Sequence, residues 1–228
     1  MSAPWYVSPE QLTKDRADFA RQGIGRGHSV VVASCANAVA LIAQNPSTSL
    51  HKLGEIHDRL AFAAVGKYHE FEALRVAGIR WADVRAYQYS RADVSGRGLA
   101  NAFAQTLGEA FTGAVKPLEV EIVLADVGAQ PDEDRLYRLS YDGSVAEEQN
   151  LVVIGGDVAR TRSALQAVYD PSASWGETLS VLARALKESS DSGPMNLEAA
   201  ILDRSGPGRC FRRIPAAELN ERGATHGA

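Results

Sequence analysis

The sequence predicts a mixed α/β chain of the α+β kind: two stacked, mostly antiparallel sheets with helices on both outer faces. Three observations predict it. Strand-like segments arrive in blocks separated by pairs of helical segments, whereas a doubly wound sheet alternates single strands with single helices. The strand-like segments are nearly continuous apolar runs, Val30-Val31-Val32-Ala33 among them, as expected of strands buried on both faces. The chain's 228 residues, 45% hydrophobic and 23% charged, suffice for one large domain around a sizeable core.

A helix is expected to open at Ser8, with Ser8 as N-cap, Pro9 at the first helical position and Gln11 completing a capping box. Leu12, Arg16 and Phe19 share one face at helical spacing, and Gly23, Gly25 and Gly27 end the run. This helix is short on apolar residues, so much of its surface is left for solvent or a partner. Ser29 to Cys35 and Val39 to Ala43 read as a hairpin across Ala36-Asn37. A second pair follows, Leu50 to Ile56 and Arg59 to Val65. Two long helices come next, Lys67 to Tyr87 and Gly98 to Thr112. The first carries Phe71, Leu74, Gly78 and Ala82 on one side; the second carries Leu99, Phe103, Leu107 and Ala110. Strands return at Leu118 to Val127, Leu136 to Tyr141 and Asn150 to Ile154, with a hairpin turn at Asp142-Gly143. Val158 to Tyr169 and Trp175 to Ser189 are helical. Ser189 to Met195 reads as a loop, and Leu197 to Asp203 with Cys210 to Ile214 as a closing hairpin. Ala216 to Arg222 is expected to form a last helical turn.

Lys and Arg number 24 and Asp and Glu 28, so the chain is mildly acidic. With no basic block, nucleic-acid binding is not expected. The longest apolar stretches are too short to span a bilayer, so no membrane association is expected. The first residues have no basic, long-apolar signature of a signal peptide, and a cytoplasmic location is expected. Cys35 and Cys210 lie far apart without CxxC spacing and read as ordinary thiols.

Several blocks together resemble an actinobacterial 20S proteasome α subunit. They are Ser8-Pro9-Glu10-Gln11, Arg26-Gly27-His28-Ser29-Val30-Val31, Gln44-Asn45-Pro46-Ser47, Ala63 to Phe71, Leu99 to Gly108, Leu136-Tyr137-Arg138 and Tyr141-Asp142-Gly143-Ser144. They run in order from about Tyr6 to Leu219, and their number and order carry the specificity. The resemblance implies the N-terminal-nucleophile hydrolase fold, a four-layer α-β-β-α sandwich. It also implies a heptameric ring of this subunit, stacked on rings of catalytic β subunits and opening to protein substrates in transit. Degradation of proteins marked by a ubiquitin-like modifier is implied in the same way. The organisation implied is a gating segment at 1–7, a proteasome α-type domain at 8–222 and a disordered tail at 223–228.

In the catalytic β subunits of that family, a threonine freed at the start of the first strand is the nucleophile, activated by its own amino group and nearby charges. Here Gly27-His28-Ser29 stands at that start. His28 replaces the threonine, and Gln44 stands where the resemblance places the active-site Asp. Only the lysine position survives, as Lys52. No catalytic residue is therefore expected. Ser2 would become terminal on loss of Met1, but it precedes an apolar segment rather than a strand. The five histidines come without a Gly-x-Ser-x-Gly elbow.

By itself Lys52 reads as a solvated lysine in a turn. The resemblance implies instead that it lines a pocket between adjacent α subunits, where the C-terminal carboxylate of a ring-shaped ATPase activator docks. A lysine suits that role as a compact positive charge, worth roughly 1.5–3 kcal/mol as a charge-assisted hydrogen bond. Arg21, Gly66 and Lys67 are expected near the same pocket. Ser2, Ala3, Pro4, Trp5, Tyr6 and Val7 are the expected gate over an axial pore, with Pro9 fixing the turn into the first helix. His51, Glu55 and His57 only loosely follow ligand spacing, and no metal or other cofactor is expected. Gly23-Ile24-Gly25-Arg26-Gly27 follows a helix and precedes a strand, the reverse of a dinucleotide fingerprint. Gly155-Gly156 reads as a tight turn. Two alternatives stay open from the residues: a self-standing N-terminal-nucleophile hydrolase, and an unrelated α/β binding domain.

Overall fold

Ten strands and five longer helices appear in a computed structural model that describes residues 8–189, 196–206 and 208–219. The strands are β1 (Val30–Cys35), β2 (Ala38–Gln44), β3 (Leu53–His57), β4 (Leu60–Gly66), β5 (Val120–Asp126), β6 (Arg135–Leu139), β7 (Val145–Glu148), β8 (Leu151–Ile154), β9 (Leu197–Asp203) and β10 (Phe211–Ile214). The helices are α1 (Pro9–Gly25), α2 (Tyr68–Gln88), α3 (Gly96–Gly113), α4 (Val158–Gln166) and α5 (Trp175–Glu188). One sheet has the order β10-β9-β2-β1-β8, the other β3-β4-β5-β6-β7, and every pairing is antiparallel.

The two sheets face each other across a core of alternate residues, Val30, Val32, Leu41 and Ala43 from one and Ala61, Ala63, Val65, Val123 and Ala125 from the other. The intervening residues of β1 and β2, such as Val31 and Ile42, point outward to α4 and α5. Ile56, Phe62, Ala64 and Ile122 meet α2 and α3 on the opposite outside. β1 and β2 are buried at every position, because each sheet has a layer on both faces. The result is the expected four-layer α-β-β-α sandwich.

Helix α1 lies outside these layers and closes one end of the inter-sheet core with Ala20 and Ile24. Its buried face is therefore built on Ala17, Ala20 and Ile24. Leu12 and Phe19, read as sharing one face, are exposed. Ser8 caps the helix, its Oγ accepting the Gln11 N–H at 3.2 Å. The capping box is not closed, because the Gln11 amide donates to Asp15 Oδ1 at 2.6 Å one turn onward. Arg16 fastens the middle of α1 to α3. Its Nε donates to Phe111 O at 2.7 Å and its Nη2 to Ala114 O at 2.8 Å, satisfying carbonyls that a helix end leaves open.

Other boundaries moved for local reasons. Strand β3 starts at Leu53 rather than Leu50, since side chains of the preceding turn take the backbone groups of Leu50: Ser47 Oγ accepts from Leu50 N, and Asn45 Nδ2 donates to Leu50 O. The hairpin at Asp142-Gly143 has its return strand in β7, a short polar strand that the sequence reading passed over. The chain then crosses between sheets at Asn150, whose φ of 59° makes the corner into β8; asparagine tolerates that left-handed region. Helix α4 stops at Gln166, and the Tyr169 hydroxyl reaches back to Ser34 O at 2.6 Å. Helical turn 216–219 is present. The expectations for 1–7, 190–195 and 220–228 lie outside the described residues.

Candidate functional site

The start of β1 is where the sequence resemblance places the nucleophile of catalytic relatives, and the local bonding there is that of a closed corner. His28 sits mid-chain, and its carbonyl accepts Lys52 Nζ at 2.9 Å. Ser29 is buried, with its hydroxyl donating to Gly155 O at 3.2 Å and its N–H to Gln44 Oε1 at 3.3 Å. Gln44, also buried, uses its other amide atom: Nε2 donates to Leu186 O at 2.8 Å. One acceptor and one donor are needed at position 44. A primary amide supplies both, and a carboxylate cannot donate to the Leu186 carbonyl. This corner thus has neither a free hydroxyl nor an acid, and Gln44 ties β2 to β1 and to α5.

Glycines make the corner tight. Gly66 has φ 120°, and a Cβ there would stand 1.9 Å from the Glu119 carbonyl oxygen, so the position requires glycine. Gly155 and Gly156 both take positive φ, and Gly156 N donates to Gly27 O at 2.9 Å. They form the expected tight turn.

Lys52 is half-buried, and its electrostatics follow from that. Burial drives its pKa down from 10.5 to about 8, against the upward pull of Glu198. Burial, and then the Lys52 charge, hold the His28 imidazole below its usual value. Glu198 organises the turn before β3. Its carboxylate accepts Asn45 Nδ2 at 2.8 Å, Lys52 N at 2.9 Å and Arg213 Nη1 at 2.6 Å, and His51 Nδ1 lies 3.1 Å away. Glu55 binds Arg209 instead. His51 and Glu55, grouped in the sequence as loose ligand candidates, thus contact different partners.

Lys67 sits at the N-cap of α2 and donates to Glu119 Oε1 at 2.5 Å. Lys116 binds Glu70 Oε1 and lies 3.5 Å from Glu119. Both carboxylates are buried. Burial pushes the Glu119 carboxyl up, but the Lys67 bond and the lysine charges outweigh it, and its pKa falls below the ordinary value.

A family model described as Proteasome subunit matches residues 23–202. The chain belongs to the proteasome subunit family. Its proteasome relatives include one from Sanguibacter keddieii, 54% identical, with 97% of this chain and 89% of the relative covered. Another, from Kineococcus radiotolerans, is 51% identical over 96% of this chain and 97% of its own length. A third, from Acidothermus cellulolyticus, is 52% identical over 97% of both. Each is named Proteasome subunit alpha. Proteasome subunits have the N-terminal-nucleophile hydrolase sandwich, and the four layers described above fit that membership.

Within one chain the expected proteasome pocket residues occupy two neighbouring places. Lys52 Nζ rests on the His28 carbonyl, and the Lys52 carbonyl accepts from Ala64 N two residues before Gly66. Gly66 and Lys67 form the following corner. Arg21 lies on the solvent side of α1, paired with Asp18 at 3.1 Å and set over the Tyr141 ring. There it borders a cleft of about 370 Å³ with Glu121, Tyr141 and the Gly155-Gly156 turn. Pro9 is the first residue of α1. The remaining gate residues, Ser2 to Val7, lie outside the described residues. Sequence reading missed Glu119 and Glu198. The signal available was an acid set among apolar strand residues, Glu119 between Leu118 and Val120 and Glu198 between Leu197 and Ala199.

Proposed function

We propose that this chain is the non-catalytic α subunit of a 20S proteasome core, a threonine-type endopeptidase complex of the cytoplasm. It forms heptameric outer rings on β subunits, gates entry of protein substrates with residues 1–7, and receives the C-terminal tails of a ring-shaped ATPase activator at Lys52, Gly66, Lys67 and Arg21. The observation that carries the non-catalytic part is the corner at β1. His28 stands mid-chain with its carbonyl on Lys52, and Gln44 spans the Ser29 N–H and the Leu186 carbonyl. The docking part rests on the half-buried Lys52 ammonium beside the glycine corner, a compact cation where an anionic terminus would arrive. The gating part and the domain limits at 8 and 222 rest on family resemblance.

Co-expression with the organism's β-type subunit tests the reading, followed by negative-stain microscopy and a fluorogenic peptide assay. Four-ring barrels whose hydrolysis depends entirely on the β chain are expected, and deleting Ser2 to Val7 should raise that hydrolysis. A small particle that stays apart from the β chain would overturn the assembly, and hydrolysis by this chain alone would overturn its non-catalytic role.

A further inference from the structure

Helix α1 is the element through which the N-terminal segment joins the domain, and it packs on the inter-sheet core through Ala17, Ala20 and Ile24. Polar contacts fix that packing at two further places. One is the Arg16 clasp on the end of α3. The other is at its last turn, where Gly23 lies against the Glu119 carboxylate so closely that a Cβ there would stand 2.0 Å from Glu119 Oε2. The other oxygen of that carboxylate holds Lys67 Nζ at 2.5 Å. The backbone of the same residue is engaged too. Its carbonyl accepts Lys67 N at 3.0 Å, and its N–H donates to Glu70 Oε2 at 2.6 Å. The Glu119 side chain therefore touches α1 on one side and the Gly66–Lys67 corner on the other. Its second cation, Lys116, stands 3.5 Å away, toward Glu70.

We propose that Glu119 is a positioning residue that seats the last turn of α1 on the Lys67 corner, and that the Lys67–Glu119 pair is a release. This rests on the docking and gating roles proposed above. A carboxylate terminus arriving at that corner competes for the Lys67 ammonium. Glu119, left with Lys116 as its cation, swings toward it and away from Gly23, and α1 loses its seat. Coupling between the two places then travels through one ion pair with two arrangements rather than through the sandwich as a whole.

The test compares assembled barrels carrying reference, E119Q, K67M, the double variant and the Ser2–Val7 deletion. The readouts are hydrogen exchange of residues 9–25 and peptide hydrolysis. Glu119→Gln keeps the shape and removes the charge; Lys67→Met removes a half-exposed ammonium and mimics its capture by an anion. Both single variants are expected to speed exchange in α1 about tenfold with β1 and β2 unchanged, and to raise hydrolysis toward the level of the deletion. The double variant should add little to either, because one pair is removed in all three. Lys67→Arg keeps the cation, so exchange in α1 should stay at the reference rate. Unchanged α1 exchange in both E119Q and K67M overturns the proposal, as does faster exchange spread evenly over all elements. Freed α1 with unchanged hydrolysis, while the deletion raises hydrolysis, overturns the link to the gate. If the deletion too leaves hydrolysis unchanged, the gating role itself falls, and exchange alone decides the seat of α1.

Discussion

Arg204 and Asp134 face each other as a bidentate pair, Nη1 to Oδ1 and Nη2 to Oδ2 both at 2.9 Å, with almost no exposure on either side. Arg204 follows β9 in one sheet and Asp134 precedes β6 in the other. The same guanidinium donates to Gly128 O at 3.0 Å and to Cys35 O at 3.0 Å. One side chain thus joins the ends of both sheets. Removing one member of such a pair strands the other charge in the interior, which costs about 3–5 kcal/mol. Arg204→Met is expected to lower the urea midpoint of the purified chain accordingly. A loss below about 1 kcal/mol would mean that water reaches the pair.

Two glycines near the proposed docking corner should respond in opposite ways. At Gly66 the φ of 120° and the Glu119 carbonyl 1.9 Å from any Cβ leave no room for alanine. Gly66→Ala should cost about 3 kcal/mol or more, visible as a fallen melting temperature or loss of soluble chain. At Gly25, the last residue of α1, nothing lies within 4 Å of a Cβ. Gly25→Ala should therefore be neutral or stabilise by up to about 1 kcal/mol. Equal effects at both sites would contradict the geometry.

These cases show what could be read from the sequence and what could not. The β1 and β2 runs and the α2 stripe of Phe71, Leu74, Gly78 and Ala82 are all buried as the sequence pattern required. Burial on a regular element is a local property and leaves its mark in spacing. The inward face of α1 did not, because it packs through alanines on the ends of two sheets while Leu12 and Phe19 stay outside. Strand β7 was passed over because Val145-Ala146-Glu147-Glu148 is a four-residue edge strand with a glutamate on each face and so no apolar alternation. Lys52 was legible through resemblance alone. Its partners His28 and Glu198 are 24 and 146 residues away in the chain, and pairings of that range carry no sequence signal.

Lys52 gives a pH prediction whose sign is fixed by its environment. In the fold its pKa is about 8, against 10.5 for the free group. Between those values the unfolded chain holds the extra proton, so stability rises with pH across that window and the cost of burying the charge is fully present below about 8. Relative to Lys52→Met, the reference chain should gain on the order of 2 kcal/mol between pH 7 and pH 10.5. Urea titrations of both chains at several pH values measure it. A flat difference would show that Lys52 is solvated. Any carboxylate attracted to the ammonium should bind less well as pH climbs past that pKa, since the attracting charge is then lost.

Gln44 offers the sharpest separation between a disabled catalytic corner and a structural one. Its oxygen takes the Ser29 N–H and its nitrogen serves the Leu186 carbonyl, both within the buried region. Gln44→Glu places a carboxylate where the sequence resemblance puts the active-site Asp of catalytic members. If position 44 were an idle remnant of catalysis, the change would be tolerated. The geometry says otherwise: an ionised carboxylate would face the Leu186 carbonyl, leaving that acceptor unpaired and two oxygens in repulsion. An unsatisfied buried acceptor costs about 1–3 kcal/mol, more beside a charge. The variant can relieve the repulsion by staying protonated, which restores a donor. Gln44→Glu should therefore be destabilised at pH 8 and recover part of the loss at pH 5. Thermal melts of reference and variant at the two pH values decide it. The hydrolysis of peptide by this chain should stay at background throughout, because Ser29 still gives its hydroxyl to Gly155 and His28 still sits mid-chain.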